Sequence, residues 1–349
     1  MKEISYLLLD WYSKAKRELP WRVNKKPYSV WISEIMLQQT RIEAVIPYYE
    51  RFMQYIPDIQ SLANIPEDKL LKLWEGLGYY NRARNLKKAA IMIMNDYHGI
   101  FPNTYAEIIS LPGIGEYTAS AIASFCFNEA TPTVDGNVLR VLSRVNEDHR
   151  NVDLARTKKE IRQELAQIMP LEAGDFNEAL MEIGEVICLP KGEPKCYICP
   201  LKEICKAHLH DTYSLFPVKE EKVQKKEIFY TVFLFSYQGK YAIRKRVNQQ
   251  ILHNLWEFPN ISGKLAIDEV KRYLKSQKIG YLSIREGIDG KHVFTHQIWY
   301  MNSYFVEVSH EITDFVWVTV GEMMKKYAIP TAFRPFLKEL NRDFRHTIL

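Results

Sequence analysis

Leu111-Pro112-Gly113-Ile114-Gly115, and further on Val134-Asp135-Gly136-Asn137-Val138, decide how the rest of the chain is read. Pro112 stops a preceding helical run, because the residue before a proline is pushed out of the helical region. Gly113 and Gly115 permit a sharp turn with exposed backbone. A helix is expected to start at Glu116, so its free N–H groups and positive dipole end face whatever docks at the turn, and a phosphate fits. Asp135 lies just ahead of a second helical run, Asn137 to Val145. A phosphate clamp with a carboxylate close behind it is the layout of an enzyme that grips a nucleic-acid backbone and does chemistry beside it.

Composition is compatible with that. The 349 residues, 47% of them hydrophobic, suffice for two domains with separate cores. A net charge of +5 permits a polyanionic partner without proving one. Basic residues cluster at Arg82, Arg84, Lys87 and Lys88, at Arg140 and Arg144, and at Lys191, Lys195, Lys202 and Lys206. One such cluster reads as a solvated helix face; three beside candidate motifs read as a nucleic-acid footprint. The apolar run Tyr6 to Leu9 is closed by Asp10 and is too short for a signal peptide. No stretch reaches the roughly 18 apolar residues of a membrane span, so no membrane partner is expected. Cysteine usage suits a reducing, cytoplasmic compartment better than a secreted disulfide framework.

Apolar residues recur at helical spacing in 4–17, 29–38, 42–55, 67–74, 84–97, 104–110, 116–127, 137–145, 156–168 and 175–187. Residues 1–206 therefore read as one mainly α region. The pattern lapses over 207–227, where the charge run 219–227 reads as an exposed linker. From 228 onward the texture changes. Ile228-Tyr230-Val232-Leu234 alternates, Gln238-Gly239 turns, and 292–308 and 315–320 are strand-like, with helix patterns near 266–276 and 331–342. The second domain, 228–349, is expected to be a small α+β unit.

Cys188, Cys196, Cys199 and Cys205 form a C-x7-C-x2-C-x5-C series. Zinc sites with four cysteines usually come as two short-spaced pairs, and only one C-x2-C exists here. The spacing suits an iron–sulfur cube better, with zinc as its rival. Lysines on the intervening loops would be held in a fixed array, which suits phosphate binding. Cys126 falls on an apolar helix face and reads as a plain buried residue.

Glu34 lies in the apolar stretch 30–40, where desolvation would raise its pKa and keep a proton near neutral pH. Asp135 precedes a helix, where the dipole and backbone N–H groups favour the anion. Taken alone, Asp135 reads as a helix cap and Glu34 as the partner of an arginine. Taken together, one acid and one carboxylate split by environment are what cleavage of a glycosidic bond requires.

The segments 111–119 and 134–141 and the cysteine series resemble the helix-hairpin-helix DNA glycosylases. In that superfamily the bifunctional endonuclease III type carries a lysine two residues after the second hairpin glycine. Tyr117 stands there instead, which implies a monofunctional glycosylase. Leu19-Pro20-Trp21-Arg22, the stretch from Pro27 to Thr40, and Gly76-Leu77-Gly78-Tyr79-Tyr80-Asn81-Arg82 to Leu86 resemble the adenine DNA glycosylases (the MutY family) in particular.

The resemblance implies a two-lobed helical domain with a 4Fe-4S loop at 188–205, followed by a Nudix-like domain. It implies that Glu34 protonates a flipped adenine, that Asp135 stabilises or captures the oxocarbenium ion, and that Tyr117 and Asn137 assist. Glu178 and Trp21 would line the adenine pocket. Gln39 and Tyr79 would wedge into the base stack, as base flipping requires, with Thr40 and Leu77 beside the opposite base and Gly113 and Gly115 on the backbone. Phe294-Thr295-His296 would read 8-oxoguanine. The implied partner is double-stranded DNA carrying an adenine:8-oxoguanine (or adenine:guanine) mismatch, bound by a monomer in a bacterial-type cytoplasm, at the nucleoid; the alternatives are a related glycosylase acting on thymine opposite guanine and a non-catalytic iron–sulfur DNA-binding protein. Leu255-Trp256-Glu257-Phe258-Pro259 resembles the start of a Nudix fold, but 268–274 holds one glutamate where a metal cluster of them is required, so hydrolase activity is not expected. Three positions depart from the family pattern: the first cysteine gap is seven rather than six, Asn254 replaces a common glycine, and Thr295 replaces a serine.

Overall fold

The computed structural model describes residues 2–220, 224–247 and 251–346; of the expected linker, 221–223 lie outside the described residues. Helices run α1 (Lys2–Ala15), α2 (Pro27–Leu37), α3 (Ile42–Tyr55), α4 (Ile59–Asn64), α5 (Glu67–Leu73), α6 (Asn81–Asp96), α7 (Tyr105–Ile108), α8 (Glu116–Phe127), α9 (Gly136–Asn146), α10 (Ala155–Ala166), α11 (Ala173–Val186) and α12 (Lys206–Leu209). Then follow β1 (Lys226–Tyr237), β2 (Lys240–Lys245), β3 (Trp256–Glu257), β4 (Asn260–Ser262), α13 (Ile267–Ser276), β5 (Tyr281–Glu286), β6 (Gly290–Val293), β7 (Gln297–Val308), β8 (Val316–Val318), α14 (Val320–Lys326) and α15 (Arg334–His346).

Two compact units form: Met1–Asn64 with Asn85–Lys222, and Ile65–Arg84 with Val223–Leu349. The main change of unit falls inside the expected 207–227, and residues 65–84 group in addition with the C-terminal chain. Residues 65–84 are flanked by helices of the first unit in sequence, yet they pack with the C-terminal chain. Non-local polar contacts, which periodicity cannot register, join the two stretches. The expected linker is also largely built: Val152 N–H donates to Val218 O at 3.0 Å, and Lys226 already opens β1.

In the first unit α11 packs against α1, α8 and α9. Its core holds Leu8, Tyr12, Val138, Val141, Phe176, Leu180 and Ile183. Gly184 on α11 makes one approach possible: a Cβ there would stand 2.5 Å from Asn137 Cβ, a distance no side chain tolerates. At the hairpin, Gly113 has φ +79°, the left-handed region that favours glycine. Gly115 differs from expectation. It is extended (φ −96°, ψ 175°) and serves as the N-cap of α8, so the turn itself does not demand a glycine there.

The sheet of the second unit runs β3-β2-β1-β7-β5, with β4 on β1, β6 on β7 and β8 on β2. β1 and β7 pair in parallel from Lys226↔Gln297 to Ser236↔Glu307. Alternation along β1 sends Val232 and Leu234 to the face covered by Met323, Phe336 and Leu340. Phe233 and Phe235 go to the face covered by Val270 and Leu274 of α13. Both faces are buried, which is why β1 reads as a nearly continuous apolar run. The strand-like run 292–308 is interrupted at 294–296, between β6 and β7. On α13, Asp268 pairs with Lys271, and Glu269 accepts from the Ala266 N–H as a helix cap, so these carboxylates are already used locally.

Candidate active site

Glu34 points from α2 into the first unit and is only 4% exposed. Burial pushes its carboxyl up to about 7, and the fields of Asp135 and Glu178 add to that. The Tyr117 hydroxyl opposes the rise by donating to Glu34 Oε2 at 2.7 Å, and Arg22 opposes it too. The same burial holds the Tyr117 hydroxyl well above its ordinary value, so it remains a donor.

Asp135 caps α9. Its Oδ1 accepts from the Val138 N–H at 2.8 Å and its Oδ2 from Asn137 Nδ2 at 2.9 Å. These bonds favour the anion, as expected, but burial outweighs them and the carboxyl lies above its ordinary value. Both carboxyls are thus raised, and what separates them is the donor set. Glu34 has one hydroxyl donor against full desolvation, whereas Asp135 has amide donors on both oxygens.

Glu34, Asn137, Glu178 and Trp21 line one cavity, together with Arg22, Phe125 and Met181. Glu178 is buried and tied to Lys25 Nζ at 2.6 Å and Arg22 Nε at 3.4 Å. Arg22 also meets Glu182 at 2.9 Å, and Arg17 donates to Glu182 as well. Lys25 and Arg22 escaped the sequence reading as site residues. Arg22 sits in the motif that contains Trp21, but Lys25 reaches Glu178 across 153 positions and leaves no local signal.

Arg140 also escaped as a site residue, though one helical turn separates it from Asn137. Its Nη2 donates to Asn137 Oδ1 at 2.8 Å and to Gly184 O at 2.7 Å, and its Nε to Cys188 O at 2.7 Å. A continuous hydrogen-bonded path thus runs from Asp135 through Asn137 and Arg140 to the first cysteine of the series.

Cys188, Cys196, Cys199 and Cys205 line a single cavity with Val141, Arg144 and Leu201. Among the described residues, no three His, Cys, Asp or Glu side chains stand close enough to hold one metal ion. Arg140 and Arg144 are 7% and 6% exposed. Among the described residues neither has a carboxylate at ion-pair distance; instead Arg144 Nη1 donates to Cys188 Sγ at 3.2 Å. Arg140 lies in the fields of Asp135 and Glu185, so Arg144 is the buried cation aimed at the cysteines, and four thiolates holding an anionic group would suit it.

The expected DNA-contacting residues fall in both units. In the first, Gln39 is exposed just past α2 with φ +59°, and Thr40 Oγ1 donates to Gln38 O at 3.4 Å. In the second, Tyr79 is 49% exposed with φ +46°. Left-handed backbone is an outlier for a bulky residue and concentrates at functional sites. The loop that presents Tyr79 is fixed by Trp74 Nε1 donating to Gly78 O at 3.0 Å and by Arg82 Nη2 donating to Leu77 O at 3.1 Å. Leu77 itself is buried. Phe294 is half-buried against Trp299, with ring centroids 4.7 Å apart, and Thr295 and His296 are exposed. The Tyr79 hydroxyl and Thr295 Oγ1 hydrogen-bond at 2.6 Å.

Residues 32–171 match the family described as HhH-GPD superfamily base excision DNA repair protein, and residues 230–339 match the NUDIX domain. The adenine DNA glycosylase of Buchnera aphidicola subsp. Acyrthosiphon pisum (strain APS) is 37% identical over 313 residues, 89% of this chain and 88% of that protein. That of Buchnera aphidicola subsp. Baizongia pistaciae (strain Bp) is 40% identical over 309 residues, 86% of this chain and 85% of the relative. Among solved structures, a thermostable thymine-DNA glycosylase aligns with TM-score 0.54 and 29% identity over 60% of this chain and 96% of its own. A non-covalent endonuclease III–DNA complex aligns with TM-score 0.51 and 25% identity over 60% and 98%. Among the described residues no helix is long and apolar enough to cross a membrane.

Proposed function

Since the chain belongs to the adenine DNA glycosylases, base excision repair enzymes that hydrolyse an N-glycosyl bond in DNA, we propose that it excises adenine mispaired with 8-oxoguanine, or with guanine, by a monofunctional route. The observation that carries this reading is the buried, protonatable Glu34 sharing a cavity with Asn137, Glu178 and Trp21.

In this reading adenine is rotated out of the duplex into that cavity. Tyr117 fixes Glu34 Oε2, and Oε1 delivers a proton to the five-membered ring, turning the base into a leaving group. Bond cleavage leaves an oxocarbenium ion. Asp135, held by the Val138 and Asn137 N–H donors, stabilises it until water adds at the sugar carbon, or captures it as an ester that water then hydrolyses; either way a hydroxyl replaces adenine on the sugar and the Asp135 carboxyl is regenerated. The Glu178 carboxylate, tied to Lys25 and Arg22, is an acceptor in place for the exocyclic amino group of adenine. Tyr117 supplies no amine, so no Schiff base forms and the strand is not cut.

Cys188, Cys196, Cys199 and Cys205 would hold a 4Fe-4S cluster, whose contribution would be a rigid anionic anchor for Arg144, already hydrogen-bonded to Cys188 Sγ. Gln39 and Tyr79 fill the stack that the flipped base vacates, Thr40 and Leu77 lie beside the opposite base, Gly113 and Gly115 bare backbone N–H groups to a phosphate, and Phe294-Thr295-His296 reads the opposite base. What supports the last assignment is that this loop interrupts a strand to expose Thr295 and His296.

The test is base release from three duplexes: adenine opposite 8-oxoguanine, adenine opposite guanine, and thymine opposite guanine. The reading requires release in the first two, fastest in the first. Equal release from the first two removes the 8-oxoguanine assignment, and preference for the third removes the adenine assignment.

A further inference from the structure

Residues 65–84 carry Leu77 and Tyr79, yet they belong to the C-terminal compact unit. Their attachment is polar and reaches four separate points of the C-terminal chain. Glu67 Oε1 accepts from Arg84 Nε at 3.0 Å and from Asn254 Nδ2 at 3.2 Å, and Arg84 Nη2 donates to His253 O. Asp68 pairs with Lys245 at 2.8 Å. Lys72 Nζ donates to Tyr327 O at 2.9 Å, and the Ile329 N–H donates to Glu75 Oε1 at 3.1 Å. Tyr79 meets Thr295 at the fourth point.

Two of these points are positions where the chain departs from its family's pattern. Asn254 has φ +57°, a conformation glycine adopts freely and asparagine tolerates. A glycine there would keep the turn but lose the amide that reaches Glu67. Thr295 keeps the hydroxyl of the serine it replaces, and its β-branch restricts the rotamer in which that hydroxyl faces Tyr79.

We propose that Glu67 and Asn254 are positioning residues that fasten segment 65–84 to the C-terminal unit, so that Tyr79 and Thr295 meet the opposite base as one rigid recognition element. The specificity part of this proposal rests on the reading of 294–296 as the opposite-base reader; the fastening does not. Through the clamp, residues far from the bases set how well Tyr79 is preorganised, and preorganisation shows in binding before it shows in chemistry.

The experiment uses the full-length, cluster-loaded enzyme and the variants Asn254→Gly, Glu67→Gln, Tyr79→Phe and Asn254→Gly/Tyr79→Phe. Single-turnover base release is measured against enzyme concentration on adenine opposite 8-oxoguanine and opposite guanine. Asn254→Gly is expected to raise the half-saturating concentration for the 8-oxoguanine duplex about tenfold, as for one hydrogen bond to a charged group, with the saturating rate unchanged. Glu67→Gln, which keeps an acceptor and loses the charge, should fall between that variant and the unaltered enzyme. The double variant should lose no more than the larger single loss, because both substitutions act through one element. Amide hydrogen exchange over 74–82, measured without DNA, should quicken in Asn254→Gly. Additive losses, or a loss confined to the saturating rate, overturn the coupling. Unchanged exchange over 74–82 overturns the clamp. If the unaltered enzyme does not prefer 8-oxoguanine, the reader assignment falls, and the exchange measurement still decides the clamp.

Discussion

Replacing Glu34 by glutamine separates the chemistry from the fold more sharply than any other single change. At pH 7 a carboxyl with its pKa near 7 is half protonated, whereas one at the ordinary 4.5 is protonated roughly once in 300. Burial therefore multiplies the acid form by about 150. Removing a positioned general acid lowers the chemical step by roughly 10²–10⁴-fold, and Glu34→Gln should show a loss in that range in single-turnover base release at saturating enzyme. DNA affinity should change far less, because glutamine keeps the shape and still accepts from Tyr117.

The sign of the accompanying stability change is opposite. The folded pKa of Glu34 exceeds its unfolded value, so the folded state holds the proton longer and stability falls as pH rises from about 4.5 to about 7. A shift from 4.5 to about 7 corresponds to about 3 kcal/mol of destabilisation that is fully present above pH 7. Glu34→Gln removes that penalty, so its melting temperature should exceed the unaltered enzyme's at pH 8 and approach it at pH 5. The descending limb of the rate against pH near 7 should vanish with the residue. A variant that retains rates within threefold, or that is destabilised equally at both pH values, would refute the reasoning.

The remaining predictions address the parts around Glu34. Asn137→Ala removes the donor to Asp135 Oδ2 and the acceptor for Arg140, so single-turnover base release should fall about 10- to 100-fold; an unchanged rate would free Asp135 from its dependence on Asn137. Tyr117→Lys places an amine beside Glu34 and should add strand cleavage, detected as a borohydride-trapped covalent complex with DNA; failure to trap would mean the amine does not reach the sugar. Cys199→Ser should bleach the visible absorbance of the purified protein and lower its melting temperature, since the buried Arg144 beside Cys188 Sγ would lose the proposed anionic group; a colourless, zinc-containing parent protein would overturn the cluster assignment.

What could be read from the sequence, and what could not, divides along a physical line. Helical periodicity marked α2, α8, α9 and α11, and the Asp135 cap was visible because a capping side chain acts on the backbone within three residues. The short helix α14 and the strands β4 and β5 left too little periodic signal. The C-terminal attachment of 65–84 was hidden for a different reason. Its anchors include His253 O, Tyr327 O and the Ile329 N–H, and main-chain groups are the same in every residue. The acid–base assignment was half legible. An apolar helix around Glu34 predicts a raised pKa, but the net upward shift of Asp135 depends on how deeply α9 is buried, and sequence cannot weigh that against two hydrogen bonds.

The same line runs through the site. The residues proposed to act on the reacting atoms lie in short motifs, whereas their neighbours arrive from elsewhere: Lys25 meets Glu178 from 153 positions away, and Arg140 meets the Cys188 carbonyl from 48. Gly184 shows how strictly they are packed, since the path from Asp135 to the Cys188 carbonyl passes a glycine with no room for a Cβ. A side chain at position 184 would force α9 and α11 apart at Asn137, so the geometry proposed for Glu34 and Asp135 rests on that packing as much as on the two carboxyls.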